Sequence, residues 1–363
     1  MDSKQLLNNL LDQKNLSSKE VEFLLEEIIA GRLTSAQIAA FLVGLRTKGE
    51  TIDEILGLIH GMRKHMIRVG HPEQREGSLA NASSNTLRDS SATPQNDTPM
   101  IDVCGTGGDG VGAFNISTAA SFVVAACGVK VAKHGNRAAS SKCGSADVLE
   151  ALGVHIMLIP QQAAAVLKKV GMVFLFAPLY HPAMKQIGPI RKELGVRTVF
   201  NFLGPFLNPA GVKRQLIGVP NVAIAKKLAA VAAKLGYQHA LIISSADGMD
   251  EISLSGPTHI FEVRGKKVIS KVINPLQFGM KKTPLSQIVG GDAAQNSAIL
   301  LEVLEGKKSS YRDIAVLNSA AALYVAGTAK TIKEGIGIAE KAIDSGKAKE
   351  VLEKLIEETK KYA

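Results

Sequence analysis

Four glycines stand in Gly105-Thr106-Gly107-Gly108-Asp109-Gly110, directly behind the apolar run Met100-Ile101-Asp102-Val103-Cys104. A short apolar run that breaks into glycines reads as a buried strand opening into a loop that hugs a ligand. Without Cβ atoms, the backbone N–H groups can come within hydrogen-bonding distance of a phosphate. Asn115-Ile116-Ser117-Thr118 follows, ahead of a helix-like apolar run from Ala119 to Cys127. An Asn or Ser at a helix start can cap free N–H groups, and the same helix end attracts anions. Lys133-His134-Gly135-Asn136-Arg137 then sets two cations around a glycine at the close of a second apolar run, Val129 to Ala132. Two polar clusters, each closing its own strand, make a phosphate site the leading expectation.

Asp250-Glu251 closes a further apolar run, Ala240 to Ser244, after the turn residues Asp247-Gly248. Two adjacent carboxylates can be no more than a solvated loop. Beside a phosphate they match Mg²⁺, which takes one or two carboxylates together with substrate phosphate oxygens. Asp109 is either a third acidic group of that clamp or an acceptor that stabilises its own loop. His181-Pro182-Ala183-Met184, Gly188-Pro189-Ile190-Arg191 and the corner Gly204-Pro205-Phe206-Leu207-Asn208-Pro209 lie between strands. Turn chemistry alone accounts for such residues. An Arg beside a rigid corner equally matches a planar carboxylate.

The elements that position these residues are legible in outline. Residues 1–68 read as short amphipathic helices opened by three capping boxes, Ser17-x-x-Glu20, Thr34-x-x-Gln37 and Thr51-x-x-Glu54. Gly70 through Pro99 is dominated by Ser, Asn, Thr, Asp, Gln and Pro and is expected to be a mobile insert. From residue 100, strands alternate with helices: Met100–Cys104, Val129–Lys133, His155–Ile159, Met172–Phe176, Gln215–Val219 and Ala240–Ser244, with helices such as 161–170 and 223–235 between them. That alternation predicts an α/β fold, a mainly parallel sheet flanked by helices. Ligands of such sheets bind beyond the carboxyl ends of the strands, where all three polar clusters fall. The expected organisation is a helical domain over 1–69, the polar insert over 70–99 and a ligand-binding α/β domain over 100–363.

Composition narrows the classes. The chain has 363 residues, 46% hydrophobic, 21% charged and 4% aromatic with no Trp, which argues against the aromatic stacking platforms of single-strand binders. A net charge of +10 favours an anionic partner: nucleic acid, a membrane surface or a polyphosphorylated metabolite. Cys104, Cys127 and Cys143 are odd in number and not in metal-ligand spacing, as expected of reduced thiols. The N-terminus lacks signal-peptide character and no apolar run is long enough to span a bilayer, so a soluble, cytoplasmic protein without membrane partners is expected.

The motifs Val103–Asp109, Asn115–Thr118, Lys133–Arg137, Cys143–Glu150, His181–Met184, Phe200–Pro205 and Asp247–Glu251 together resemble the anthranilate phosphoribosyltransferase family. The resemblance runs from the N-terminal helices to the C-terminal helical stretch. Only the 70–99 insert departs, being longer and more polar than the family's usual connection. The resemblance implies transfer of 5-phosphoribosyl from phosphoribosyl pyrophosphate to the amine of anthranilate, with Mg²⁺, in tryptophan synthesis. It implies a homodimer built through a helical domain that part of 182–204 joins, within the nucleoside phosphorylase/phosphoribosyltransferase type of fold. On it, Gly105, Thr106, Gly107, Gly108, Asp109, Asn115, Ser117, Thr118, Lys133 and Ser145 hold the donor. Ser117, Asp250 and Glu251 hold the metal. Gly105, His134, Asn136, His181, Arg191, Gly204 and Pro205 line the acceptor path, with Arg191 on the anthranilate carboxylate. Anthranilate's aniline nitrogen is already neutral, so no strong base is required, and His134 is the one candidate for that role. A pyrimidine nucleoside phosphorylase and a nucleic-acid-binding relative of the same fold are the rival readings. The Asp250-Glu251 pair counts against the first, and the presence of every substrate-site residue against the second.

Overall fold

The computed structural model describes residues 1–70, 99–138 and 141–363; the expected mobile insert lies, but for its two ends, outside the described residues. Four helices open the chain: α1 (Ser3–Leu11), α2 (Ser18–Ile29), α3 (Ser35–Lys48) and α4 (Ile52–Lys64). All three expected capping boxes form, with Ser17, Thr34 and Thr51 each exchanging bonds with the residue three positions on. The apolar stripes Val21, Leu24, Leu25, Ile28 on α2 and Ile55, Leu58, Ile59, Met62 on α4 face each other and are fully buried.

Strands and helices then alternate: β1 (Met100–Gly105), α5 (Ile116–Ala126), β2 (Lys130–Gly135), α6 (Ser145–Ala151), α7 (Pro160–Val170), β3 (Met172–Phe176), α8 (Ala177–Tyr180), α9 (Met184–Leu194) and α10 (Phe200–Leu203). β4 (Arg214–Gly218), α11 (Val222–Lys234), β5 (His239–Ser245), β6 (Thr258–Arg264) and β7 (Lys267–Ile273) complete the sheet. The chain closes with α12 (Ala293–Leu304), α13 (Ser310–Ala326), α14 (Ile332–Asp344) and α15 (Lys347–Lys360). The seven strands run in the order β3-β2-β1-β4-β5-β6-β7. The first five are mutually parallel, and β6 and β7 turn back antiparallel.

Alternate residues along each strand serve two cores. Ile101, Val103, Leu216, Leu241 and Ile243 pack with α5, α13 and α15, while Ile217, Ala240 and Ile242 pack with α11 and the N-terminal helices. The second core also takes in Ile187 and Ile190 of α9 and the corner after α10, so residues distant in sequence complete the helical layer. Burial on both faces is why these strands read as apolar runs.

Two expectations need correction. His155–Ile159 is not a strand. Val154, Ile156 and Leu158 are buried and Met157 and Ile159 exposed, so the alternation is real. Its backbone nevertheless bonds to side chains, His155 N–H to Thr359 Oγ1 (3.1 Å) and Leu158 O to Tyr180 OH (2.8 Å), and joins no sheet. The hairpin β6–β7 lies outside the expected strands, although Gly265-Lys266 between two β-branched runs is a two-residue turn with Gly at φ +58°.

Candidate active site

The parallel strands bring the carboxyl ends of β1, β2, β4 and β5 to one edge, and the three polar clusters meet there. Glycine makes that meeting possible. A Cβ on Gly105, the last residue of β1, would collide with the Asp250 carboxylate, and one on Gly218, the last of β4, with the Asp250 backbone. Asp250 therefore sits directly over two strand ends. Its Oδ2 accepts the Gly107 N–H at 2.7 Å, while Thr106 N–H donates to Gly218 O at 2.8 Å. From the other side Arg197 donates to Gly108 O at 2.6 Å and Gly107 O at 3.2 Å. Asp109 Oδ1 accepts Val111 N–H at 3.2 Å, the loop-stabilising alternative of its two readings.

Lys133 is buried beneath the loop and donates to Val103 O (2.7 Å) and Ser117 Oγ (3.1 Å). Ser117 and Thr118 occupy the first turn of α5. Asn115 precedes that helix without capping it: its Nδ2 donates to Cys143 O (3.3 Å) and its Oδ1 accepts from Asn296 Nδ2 (2.9 Å). The Asn115 carbonyl, not its side chain, takes the Thr118 N–H (3.1 Å), and Ile116 N–H donates to Phe114 O (2.7 Å). Thr106 Oγ1 and Thr118 Oγ1 are buried with no partner among the described residues, so the cradle holds unspent hydroxyls.

Asp250 is buried and Glu251 half-buried beside it. Burial, then the charge of Asp109, pushes Asp250 up to about 6. Burial and the neighbouring Asp250 push Glu251 well above the ordinary carboxylate range, against the pull of Lys133. A pair raised this way is short of positive charge, which a divalent cation supplies. Among the described residues no group of three or more His, Cys, Asp and Glu converges on a point, so such a cation would draw its remaining ligands from substrate oxygens or from Ser117. The donor set fits Mg²⁺ in that respect.

On the far side of the loop stands the second half of the site. His134 Nδ1 lies 3.2 Å from Gly204 O and His134 Nε2 3.1 Å from His181 Nε2. A carbonyl only accepts, so His134 carries its proton on Nδ1, and its Nε2 accepts a hydrogen bond from the His181 Nε2–H. Burial holds both rings neutral, pulling His134 down to about 3 and His181 to about 4. Arg191, on α9, stacks over Phe200 at 5.6 Å and reaches Asn201 Oδ1 at 3.4 Å. Burial lowers its pKa, and among the described residues no carboxylate pairs with the guanidinium. Asn136 is exposed at the end of β2, and its carbonyl accepts from Ser145 Oγ at 3.3 Å. Arg137 turns away, paired with Asp147 and Glu150. Of the two cations in that cluster only Lys133 enters the site.

Sequence reasoning assigned no role to Arg197 or Asn296. Arg197 lies in a stretch singled out for its prolines and glycines, and nothing local marks its reach across to Gly107. Asn296 ties Asn115 to the N–H of Gly291 (2.7 Å), a contact between residues with no shared motif.

Residues 97–349 match the family described as "Glycosyl transferase family, a/b domain", and residues 4–66 match "Glycosyl transferase family, helical bundle domain". The anthranilate phosphoribosyltransferase of Dehalococcoides mccartyi is 43% identical over 355 residues, 97% of each chain. The crystal structure of the Thermus thermophilus enzyme of that name superposes with a TM-score of 0.85 at 34% identity, covering 99% of this chain and all of that one. The Saccharomyces cerevisiae enzyme in complex with PRPP and Mg gives 0.86 at 27% identity, over 99% of this chain and 98% of that one. The same yeast enzyme has been solved with 4-fluoroanthranilate. With its glycine loop, carboxylate pair and helical bundle in place, the chain belongs to the anthranilate phosphoribosyltransferase family.

Proposed function

We propose that the protein transfers the 5-phosphoribosyl group of phosphoribosyl pyrophosphate to the amine of anthranilate, giving N-(5-phosphoribosyl)anthranilate and pyrophosphate, a step of tryptophan synthesis. The observation that carries this reading is the Asp250-Glu251 pair lying against a glycine loop, with buried Lys133 and the first turn of α5 on the same side. We assign residues 1–69 and part of 182–204 to the helical domain and 100–363 to the α/β domain. The packing of α9 on α2 and α3 supports that division. Exposed Leu11 and Val43 on the helical bundle support a homodimer through it. The reading places the enzyme in the cytoplasm; no helix among the described residues is long and apolar enough to cross a membrane.

In this reading Gly105–Asp109, Asn115, Ser117, Thr118, Lys133 and Ser145 bind the donor through backbone N–H groups, hydroxyls and one ammonium. Ser117, Asp250 and Glu251 hold Mg²⁺. When bound there, Mg²⁺ would supply positive charge to the pyrophosphate oxygens. Buried Lys133 and the start of α5 supply further positive potential on the same side. Arg191 pairs with the acceptor carboxylate, and Gly105, Asn136, His134, His181 and the Gly204-Pro205 corner line the path of the ring. His134 acts as a hydrogen-bonding wall and not as a base, since its Nδ1 proton is committed to Gly204 O and its Nε2 is occupied by His181. The aniline nitrogen attacks with its own lone pair, so positioning suffices. A reaction with inorganic phosphate would leave the carboxylate pair without a purpose.

The test is an assay of the purified protein with Mg²⁺, phosphoribosyl pyrophosphate and anthranilate. Loss of anthranilate fluorescence that needs both metal and donor supports the reading. Persistent fluorescence with the protein folded and the donor intact refutes it.

A further inference from the structure

Three consecutive carbonyls of the corner after α10 are each held by a buried or half-buried side chain from a different element. Gly204 O pairs with His134 Nδ1 at 3.2 Å, Pro205 O takes Gln215 Nε2 at 2.9 Å, and Phe206 O takes the Arg63 fork at 2.9 and 2.7 Å. Asn208 ends the corner. Its Nδ2 donates to Asp102 Oδ2 and to Ala132 O, both at 2.8 Å, and its Oδ1 accepts the Ala210 N–H at 2.8 Å.

These bonds converge on Asp102, a fully buried carboxylate in the middle of β1. Ile101 and Val103 face the core of α5 and α13, so Asp102 points to the other face, where its register partner on β4 is Gln215. Asp102 Oδ2 accepts from Asn208, from Gln215 Nε2 (3.1 Å) and from Cys104 Sγ (3.5 Å), and Oδ1 accepts the His134 N–H at 3.3 Å. Tyr237 OH fixes the far end of Gln215 at 3.0 Å. Burial raises the carboxyl's pKa, opposed first by the charge of Lys133 and then by the bond from Asn208. A carboxylate in a central strand is costly unless every lone pair is used, and an apolar residue would pack there at no such cost. Its neighbours are the backbone of His134 and the corner, which are the two walls of the acceptor path.

We infer that Asp102 is a positioning residue for the acceptor: acting through Asn208, Gln215 and the His134 backbone, it fixes the Gly204–Asn208 corner against the sheet. This rests on the anthranilate reading above. Of the donor-side groups, Gly107, Asp250 and Ser117 make no hydrogen bond to the Asp102 carboxylate among the described residues. Lys133, which feels its charge, is held by Val103 O and Ser117 Oγ instead, so the larger effect falls on the acceptor.

The experiment is steady-state kinetics on the full chain for wild type, Asp102→Asn, Asn208→Asp and the double swap. In Asp102→Asn an amide donor faces the amides of Asn208 and Gln215. The KM for anthranilate is expected to rise about tenfold, the equivalent of one buried hydrogen bond lost, with the donor KM within about twofold. The double swap restores a donor–acceptor pair across the same gap and is expected to do better than either single change, although Asn208→Asp gives up the bond to Ala132 O. An equal rise in both Michaelis constants, or a swap no better than the singles, overturns the inference. If Asp102→Asn does not fold, the volume-conserving Gln215→Met removes the donor to Pro205 O. A selective rise in acceptor KM of about threefold then supports the inference, and an unchanged value overturns it. A crystal structure of Asp102→Asn with the corner undisplaced overturns it irrespective of turnover. Wild type failing to consume anthranilate refutes the functional reading alone.

Discussion

Glu262 and Asp250 are buried to nearly the same extent at opposite ends of β5, and their environments drive them in opposite directions. Glu262 Oε1 receives His239 Nε2 (2.9 Å), Arg264 Nε (2.8 Å) and Tyr324 OH (2.8 Å), and Oε2 receives Lys271 Nζ (2.7 Å). Burial raises its pKa, but the bonds from Lys271, Tyr324 and Arg264 outweigh it and bring the carboxyl down to about 2. Asp250 receives one backbone N–H and lies beside Asp109 and Glu251, and it rises to about 6. Burial is common to both. What differs is whether the fold supplies the positive charge. At Glu262 it does, and the cluster joins β5, β6, β7 and α13. At Asp250-Glu251 it falls short, and that shortfall is what supports the proposed Mg²⁺ site.

The sharpest way to break this contrast is to neutralise each carboxylate in turn. Asp250→Asn or Glu251→Gln is expected to lower kcat/KM by about 100-fold or more, because the charge acts on the developing transition state. Thermal melting should stay level or rise as a repulsive buried charge is removed. A variant with near-normal turnover would place the metal elsewhere. Arg191→Ala should raise the anthranilate KM about 10- to 100-fold with little change for the donor, as expected for loss of a bidentate carboxylate partner. Matched damage to both Michaelis constants removes that assignment.

Glu262→Gln should do the reverse of the first pair. Turnover stays near wild type, while stability by urea denaturation falls by about 2 kcal/mol, because four donors lose a charged acceptor. A catalytic defect without a stability loss would void the comparison.

Titration gives the smallest and most discriminating test. The folded pKa of Glu262 is depressed, so its contribution is fully present above the unfolded carboxylate value of 4.5 and is lost as pH falls towards about 2. Asp250 has the opposite sign. Its folded pKa is raised, so it contributes most below its unfolded value of 3.8, and that contribution is lost as pH rises through about 6. Mg²⁺ should therefore raise the melting temperature more at about pH 7.5 than at about pH 5, where it must displace a proton, by on the order of 1 kcal/mol of linkage. An equal shift at both pH values would separate the metal from this carboxylate pair.

Local pattern carried much of the fold into view. Capping boxes need only a residue and its partner three positions on, and all three form. A strand buried on both faces is an apolar run, so β1 to β5 were legible. His155–Ile159 shows the limit of that signal, because its alternation reflects a buried stripe pressed against α15 rather than membership of a sheet. At the site, the residues proposed to hold phosphate and metal announce themselves through glycine, hydroxyl and paired acid. Arg197, Asn296 and Asp102 carry no such mark. Asp102 sits inside what reads as an apolar run, and its partners come from β2, β4 and the corner.

The sequence by itself determined the elements, their alternation, the edge on which ligands sit and the chemical class of the loop that meets them. These follow from periodicity and backbone stereochemistry, which act between near neighbours. Only the tertiary structure decided which charges are compensated, since Gly107 and Asp250 meet across 143 residues and Asp102 and Asn208 across 106. Whether a buried carboxylate is compensated, as Glu262 is, or left short of positive charge, as Asp250 is, depends on which donors, near or far along the chain, the fold brings within three ångströms of it.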